Sequence, residues 1–288
     1  MKIINILGGL GNQMFQYAFA ISLKAEFPDE TIKLNTKCYK GYPLHNGFEL
    51  DNIFKVDIPN ATLNDLVKYS WPWIHYRLWQ IGRRILPNRE SMAWDTDFPI
   101  DFNYDTIKKK SYFDGYWQSP RFFEKHRNAV IKAMRFPKIV ENDNLKVLNF
   151  INQNSTAFIH VRRGDYLNHP AFKGICDLSY YENGISILRG KYGFTKFLIF
   201  SNDITWCKKN LIKYLDECDV LFVDWNFGSN CYRDMQLMSM CNGALIANSS
   251  FSWWGAWLSN AHVVLCPTKW SNKPGHRIDI FPKDWIKI

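Results

Sequence analysis

The stretch AFIHVRRGDY, residues 157 to 166, decides how the chain is read. Ala157–Val161 is a short β-branched run that stops at two arginines, a glycine and an aspartate. Runs of this kind recur at Lys196–Phe200, Val220–Val223, Ala244–Ala247 and Val263–Cys266, with longer helical patterns between them. Strands that are apolar on both faces and separated by helices are what a parallel sheet with two covered faces requires. Asp177 and Asp203 stand where N-caps are expected, and Gly193 where a helix should stop. The alternation predicts an α/β fold.

The beginning of the chain repeats the pattern on a smaller scale. Ile3–Leu7 reads as a buried strand, Gly8–Gly11 as a tight turn, and Asn12 to Phe27 as a helix with Met14, Ala18, Ile21 and Ala25 on one face. Thr31–Leu34 reads as the next strand. Residues 36–118 are irregular and rich in Trp, Tyr, Pro and Asn, with one helix expected over Trp73–Leu86. Ser119-Pro120 has the form of an N-cap and first-turn proline for a helix running to about Arg135. A chain of 288 residues is natural for two domains. The break near Pro137 divides them into 1–138 and 139–288.

Composition narrows the class. With 47% apolar, 16% aromatic and 22% charged residues, the chain is neither disordered nor fibrous. No apolar run approaches the ~20 residues that cross a bilayer, and the first residues lack the pattern of a secretory signal, so a cytoplasmic protein is expected. The 7 cysteines are scattered without a Cys-x-x-Cys pair and read as reduced and mostly buried. A net charge of +9 suits polyanions, acidic membranes or phosphate-bearing small molecules. The arginines form no basic stripe and no nucleic-acid motif is present, so no nucleic-acid partner is expected.

Chemistry concentrates where the runs end. His160, Arg162, Arg163 and Asp165 follow the central run, at the sheet edge where ligands of open α/β folds bind. Two guanidiniums there can hold a diphosphate while Asp165 orients one of them; a surface salt bridge is the plainer alternative. Asn248-Ser249-Ser250-Phe251 enters a further helix, whose N-terminus suits an anion, against simple serine capping. Gly8-Gly9-Leu10-Gly11-Asn12-Gln13 allows close backbone approach to a pyrophosphate or sugar. The dinucleotide fingerprint fails there, because Met14 stands where a small residue is needed and the second strand ends in Asn35. Ser201-Asn202-Asp203 is either a helix cap or a ligand contact. Asp234, among Met235, Leu237, Met238 and Met240, could pair with a cation or accept both hydrogen bonds of a guanine edge. Asp95-x-Asp97 resembles a metal-binding Asp-x-Asp but has no evident strand before it, and no histidine or acid cluster supports a metal site.

Taken together, GGLGNQMFQYAFA (8–20), HVRRGDY (160–166), FSNDITWC (200–207) and ANSSFSWWGAWLS (247–259) resemble, in order along the chain, the motifs of the α-1,2-fucosyltransferases of glycosyltransferase family 11. The resemblance implies a GT-B-like architecture of two Rossmann-like α/β domains facing across a cleft. It also implies a GDP-β-L-fucose donor held by the C-terminal domain, a galactose-terminated acceptor on the N-terminal side, inversion at the fucose carbon, and no cofactor or required metal. Arg162 resembles the arginine that grips the donor β-phosphate, with Arg163 in support and His160 near the nucleoside. Asp234 falls where related enzymes read guanine, and Ser250 where a serine meets the β-phosphate. Gly9, Gly11, Asn12 and Gln13 resemble a loop facing the sugar phosphate. For the general base the candidates are Asp165 and then His169. The segment Trp71–Arg89, aromatic on one face and basic on another, reads as a packed amphipathic helix or as a peripheral membrane contact.

Overall fold

The computed structural model describes every residue except 72–74, 99–101 and 274–278. The chain divides into two compact units, Met1–Pro137 and Lys138–Ile288.

The first unit runs β1 (Lys2–Asn5), α1 (Leu10–Glu26), β2 (Ile32–Asn35), α2 (Leu50–Ile53), α3 (Leu63–Tyr69), α4 (Tyr76–Ile85), β3 (Met92–Trp94), β4 (Tyr112–Asp114) and α5 (Arg127–Ala133). Its strands lie in the order β2-β1-β4-β3, every pairing parallel. Residues 36–118, irregular by sequence, thus contribute two strands to the sheet. Each is only three residues long, too short to carry a periodic signal.

The expected single apolar face of α1 is not what forms. Met14, Ala18 and Ile21 are buried but Ala25 is exposed, and Gln13, Gln16 and Ser22 are buried with the apolar residues. The helix is covered on more than one side: Phe19 stacks on Trp117 with ring centroids 4.1 Å apart and meets Phe113 and Phe122 edge-on, while Phe15 meets Phe123. A helix buried around most of its girth shows no amphipathic stripe. The helix expected from Ser119 is also different, two 3-10 turns at Pro120–Phe122 and Glu124–His126 preceding α5. Phe122 and Phe123 are both fully buried. Successive side chains on an α-helix diverge by about 100°, and the break at Phe123 lets both turn inward.

The second unit runs α6 (Asn142–Gln153), β5 (Thr156–Val161), α7 (Leu178–Gly190), β6 (Lys196–Ser201), α8 (Ile204–Asn210), β7 (Asp219–Val223), α9 (Tyr232–Met238), β8 (Gly243–Leu245), α10 (Ser250–Trp257), β9 (Val263–Cys266) and β10 (Ile286–Lys287). The strand order is β10-β9-β8-β5-β6-β7, all parallel. All of β5 is buried, with Ile159 in register with Ile199 on one side and Leu245 on the other. Asp177 and Asp203 accept the backbone N–H of Tyr180 and Trp206 at 3.0 and 3.1 Å, caps that contribute about 1 kcal/mol each. β8 is shorter than expected: Ile246 and Ala247 stay buried beyond its end. In α10, Trp253, Trp254 and Trp257 fill the core, and Gly255 lets the helix approach α9, since a Cβ there would lie 2.7 Å from Met238 Cβ. All seven cysteines are free, with Cys38, Cys207, Cys241 and Cys266 buried.

Candidate active site

From β5 the chain steps outward through β6 to β7, then returns to lay β8 on the opposite flank of β5. Loops leaving the carboxyl ends of β5 and β8 therefore diverge, which makes the switch point where open parallel sheets hold their ligands. The β5 loop carries His160 to Asp165 and the β8 loop carries Asn248 to Phe251. Across the gap the His160 and Phe251 rings are 6.1 Å apart, and Tyr166 Oη donates to the carbonyl of Asn248 at 3.4 Å.

The paired arginines have different duties. Arg163 is spent on the protein: its Nε meets Asp203 Oδ2 at 3.2 Å, its guanidinium lies 4.1 Å from the Trp206 ring, and its backbone N–H donates to Asn202 Oδ1 at 2.9 Å. Arg162 is 34% exposed and pairs through Nη2 with Asp165 Oδ1 at 2.8 Å. A guanidinium has five N–H donors, so that pairing fixes its direction and leaves donors for an anion. His160 is buried, and its Nδ1 has no partner among the described residues. Burial first, and the charge of Arg162 second, hold its pKa down to about 3, so the ring is neutral at physiological pH.

Ser201, Asn202 and Asp203 bond to the protein. Ser201 Oγ accepts the Asp203 N–H at 2.9 Å, Asn202 takes the Arg163 amide, and Asp203 caps α8 with one oxygen while holding Arg163 with the other. The helix-cap alternative is the one that forms, through Asp203, and the trio also braces Arg163. Gly164, at φ +44°, brings the turn close enough to Asn202 that a Cβ would stand 2.6 Å from its Nδ2.

The serines of the β8 loop separate in the same way. Ser249 Oγ caps α10 by accepting the Phe251 N–H at 3.3 Å, and Ser252 Oγ bonds back to the carbonyls of Ala247 and Ser249. Asn248 is buried and donates to Trp270 O at 3.1 Å, so it clamps the loop. Ser250, half-buried at the first position of α10, keeps its hydroxyl uncommitted among the described residues, beside backbone amides that favour an anion.

Asp234 stands in the first turn of α9, beyond β7. Among the described residues it accepts one hydrogen bond, from Asn226 Nδ2 at 2.8 Å, and has no cation beside it. Burial raises its pKa to about 7 against the smaller opposing effect of that amide. The neighbouring arginine goes elsewhere: Arg233 binds Glu141 at 2.9 Å. Asn226 is itself set by a reciprocal amide pair with Asn144 at 2.9 Å in both directions, and Trp225 Nε1 donates to Asn144 Oδ1 at 2.9 Å. Sequence reasoning missed Asn144 and Asn226, because isolated asparagines on a helix and in a loop carry no spacing signal.

His169 is exposed, its ring stacked 4.7 Å from Phe172, and its Nδ1 accepts the Ala171 N–H at 3.2 Å. A neutral imidazole that accepts at Nδ1 carries its hydrogen on Nε2. Neither nitrogen then offers a lone pair to a substrate proton.

At the corresponding edge of the first unit, the glycine-rich turn differs from expectation. Gln13 is fully buried, donating to Gly8 O at 3.0 Å and Gly47 O at 2.8 Å while accepting the Glu49 N–H at 2.9 Å. Its amide holds the 45–49 loop, a correction to its reading as a sugar-phosphate contact. Asn12 Oδ1 is taken by Gln118 Nε2 at 2.7 Å. The space freed by missing Cβ atoms is also in use: at Gly8, with φ +92°, a Cβ would lie 2.8 Å from Asn12 Nδ2, and at Gly9 3.0 Å from His45 Nδ1. Asp95 and Asp97 do follow a strand, β3, but their carboxylates accept the backbone N–H groups of Tyr116, Trp117 and Trp94. Among the described residues no group of three or more His, Cys, Asp or Glu could hold a metal ion. Unforeseen at this edge is Asp114, at the end of β4: it accepts from Asn5 Nδ2 at 3.1 Å, its Oδ2 has no partner among the described residues, and burial raises its pKa.

Along nearly its whole length the chain is similar to known glycosyltransferases. The alpha-1,2-colitosyltransferase of Escherichia coli is 32% identical over 99% of this chain and 98% of its own length. The O-antigen biosynthesis glycosyltransferase WbnK of Escherichia coli is 26% identical over 98% of each chain. Galactoside alpha-(1,2)-fucosyltransferase 2 of Rattus norvegicus is 24% identical over 92% of this chain and 68% of that protein. The profile of glycosyl transferase family 11 matches residues 1–288, from the first residue to the last, and the chain belongs to that family.

Proposed function

We propose that this glycosyltransferase moves L-fucose from GDP-β-L-fucose to the 2-hydroxyl of a terminal β-galactose, inverting the fucose anomeric carbon and using no metal. The observation that carries the reading is the partly exposed Arg162 guanidinium, aimed by Asp165, at the switch point that also holds Ser250 and the start of α10. As the bond from fucose C1 to the β-phosphate oxygen breaks, its electron pair stays on the phosphate. Arg162 and the α10 amides are fixed positive groups suited to that growing charge, the task a divalent cation performs in other enzymes. The acceptor 2-oxygen attacks C1 from the opposite face and gives up its proton. Asp165 is favoured over His169 as the base, because one of its carboxylate oxygens remains beside the one on Arg162. Asp234, without a cation partner, is suited to accept the two N–H groups of a guanine edge.

A second reading concerns the sugar. A relative 32% identical over nearly the whole chain carries the name alpha-1,2-colitosyltransferase. Colitose lacks the 3-hydroxyl of fucose, and a pocket that discriminates by one hydroxyl is a small change on a shared frame. Both readings keep the GDP carrier and the α-1,2 linkage.

The test is release of GDP from GDP-fucose and from GDP-colitose, each with lactose and EDTA, followed by linkage assignment of the product. Transfer of fucose in an α-1,2 linkage with EDTA present supports the first reading, and preference for colitose the second. Loss of transfer on chelation overturns the metal-free mechanism. Binding of galactosides without GDP release from either donor would make the chain a carbohydrate-binding protein.

A further inference from the structure

The segment Trp71–Arg89 reads from sequence as a packed amphipathic helix or as a peripheral membrane contact. In the helix that forms, α4, the aromatics turn in. Trp79 and Trp71 are buried, the Tyr76 and Trp79 rings stack 5.9 Å apart, and Trp79 packs with Leu7 and Cys38 of its own unit; Trp73 lies outside the described residues. What faces solvent is aliphatic and basic. Leu78 is 49% exposed, Ile81 55% and Ile85 71%, and Leu86 just beyond the helix is 40% exposed. Positions 78, 81 and 85 share one helix face. Arg77 and Arg84 lie along the flank of that face, both exposed and neither paired with a carboxylate among the described residues. From Trp71 to Arg89 the sequence contains no aspartate or glutamate.

We propose that α4 is the surface by which this protein rests on an anionic lipid bilayer, with Leu78, Ile81 and Ile85 at the boundary of headgroups and acyl chains and Arg77 and Arg84 on lipid phosphates. Two features select a lipid surface over a protein groove, and a third sets how the helix lies on it. The charge is of one sign and matches an acidic leaflet, each arginine near such a surface adding to the attraction. The exposed anchors are aliphatic, whereas protein interfaces concentrate their energy in tryptophan and tyrosine, which here are turned inward. The helix has 10 residues, half the length that spans a bilayer, so it can lie only in the plane. The buried Trp79 side fixes the helix to its unit, so binding requires no folding and no loss of core.

The experiment uses the full chain and two sets of vesicles, phosphatidylcholine alone and phosphatidylcholine mixed with phosphatidylglycerol, with sedimentation at low and high salt. Binding is expected to the mixed vesicles, to weaken with salt, and to be slight on phosphatidylcholine alone. Replacing Arg77 and Arg84 together by Gln should weaken it about tenfold or more. The triple change Leu78→Ser, Ile81→Ser, Ile85→Ser should abolish the portion that survives high salt. Sugar transfer to a soluble acceptor should be unchanged in both variants, which also shows that they fold. No sedimentation at low salt overturns the proposal, as does binding that both variants retain. If the wild type self-associates with concentration and the triple variant does not, the face is an interface between copies and the lipid reading fails.

Discussion

Both units end a parallel sheet in polar loops, yet the glycine-rich turn after β1 and the loops after β5 and β8 use their polar groups in opposite ways, although Asp114 beside that turn keeps Oδ2 without a partner among the described residues. At the β1 edge, Gln13 satisfies three backbone groups, Asn12 is held by Gln118, and the room above Gly8 and Gly9 is filled by Asn12 and His45. At the β5 and β8 edge capacity is left over among the described residues, in donors on Arg162, the hydroxyl of Ser250 and Nδ1 of His160, and beyond β7 in an oxygen of Asp234. A polar group with every bond made is part of the scaffold, and one placed at a sheet edge with bonds unmade is ready for a ligand. The same glycine-and-asparagine vocabulary can serve either purpose. Only the hydrogen-bond census separates them.

That contrast is most exposed to test at Arg162. Its one ion pair among the described residues is partly exposed, so Arg162→Ala should leave the unfolding free energy within about 0.5 kcal/mol of the parent while lowering kcat by about 10²–10³-fold, the usual cost of one fixed donor to developing negative charge. Steady-state GDP release and urea unfolding on the same preparation check it. Arg163→Ala is the counterpart. It loses the brace on Asp203 and the contact with Trp206, so its main effect should be on stability. Equal catalytic losses in the two variants would erase the division of labour between the arginines.

Gln13→Ala asks the reverse question of the other edge. Three backbone groups of the 8–9 and 47–49 segments lose their buried partner at once, which should cost about 2–3 kcal/mol of stability by urea unfolding. If Gln13 is scaffold alone, the folded fraction should keep the parent KM for the nucleotide sugar. A raised KM with unchanged stability would return Gln13 to the binding loop.

The unequal legibility of the two units has the same root. In the second unit each strand is four to six residues long apart from β8 and β10, and helices such as α7 are announced by caps such as Asp177, so alternation alone disclosed the sheet. In the first unit β3 and β4 are three residues each, and aromatic residues from Phe98 to Phe123 supply the layer over α1 that a regular element would otherwise supply. Burial of such a layer depends on contacts distant in sequence, and no local period records it. Lys2 illustrates the limit: its ammonium is fully buried and donates to the carbonyls of Ile107, Lys108 and Lys110, partners more than a hundred residues away. At the β5 and β8 edge the motifs marked the loops that carry Arg162 and Ser250, but which arginine keeps donors to spare and which serine caps are properties of side-chain geometry.

The smallest effect, and the finest division between scaffold and site, concerns Asp234. With its pKa at about 7 in the free protein, the carboxyl is half protonated near neutrality, and a guanine edge offering two N–H donors can be accepted only by the carboxylate. Each unit of pH below about 7 should therefore weaken GDP binding by up to about tenfold, until the pKa of the bound state is reached. The sign for stability is opposite. A folded pKa above the unfolded value of about 4 means that folding takes up a proton between those limits, so the ligand-free protein loses stability as pH rises from about 4 to about 7 and is level above that. Asp234→Asn should flatten the stability slope in that window and remove most of the pH dependence of binding, at the cost of weaker affinity at pH 8. Calorimetric GDP titrations across that range, with ADP as the base-exchanged control for phosphate ionisation, separate the two. Should GDP and ADP share one pH profile in the parent, Asp234 would belong with Gln13, a buried polar group serving the fold through Asn226.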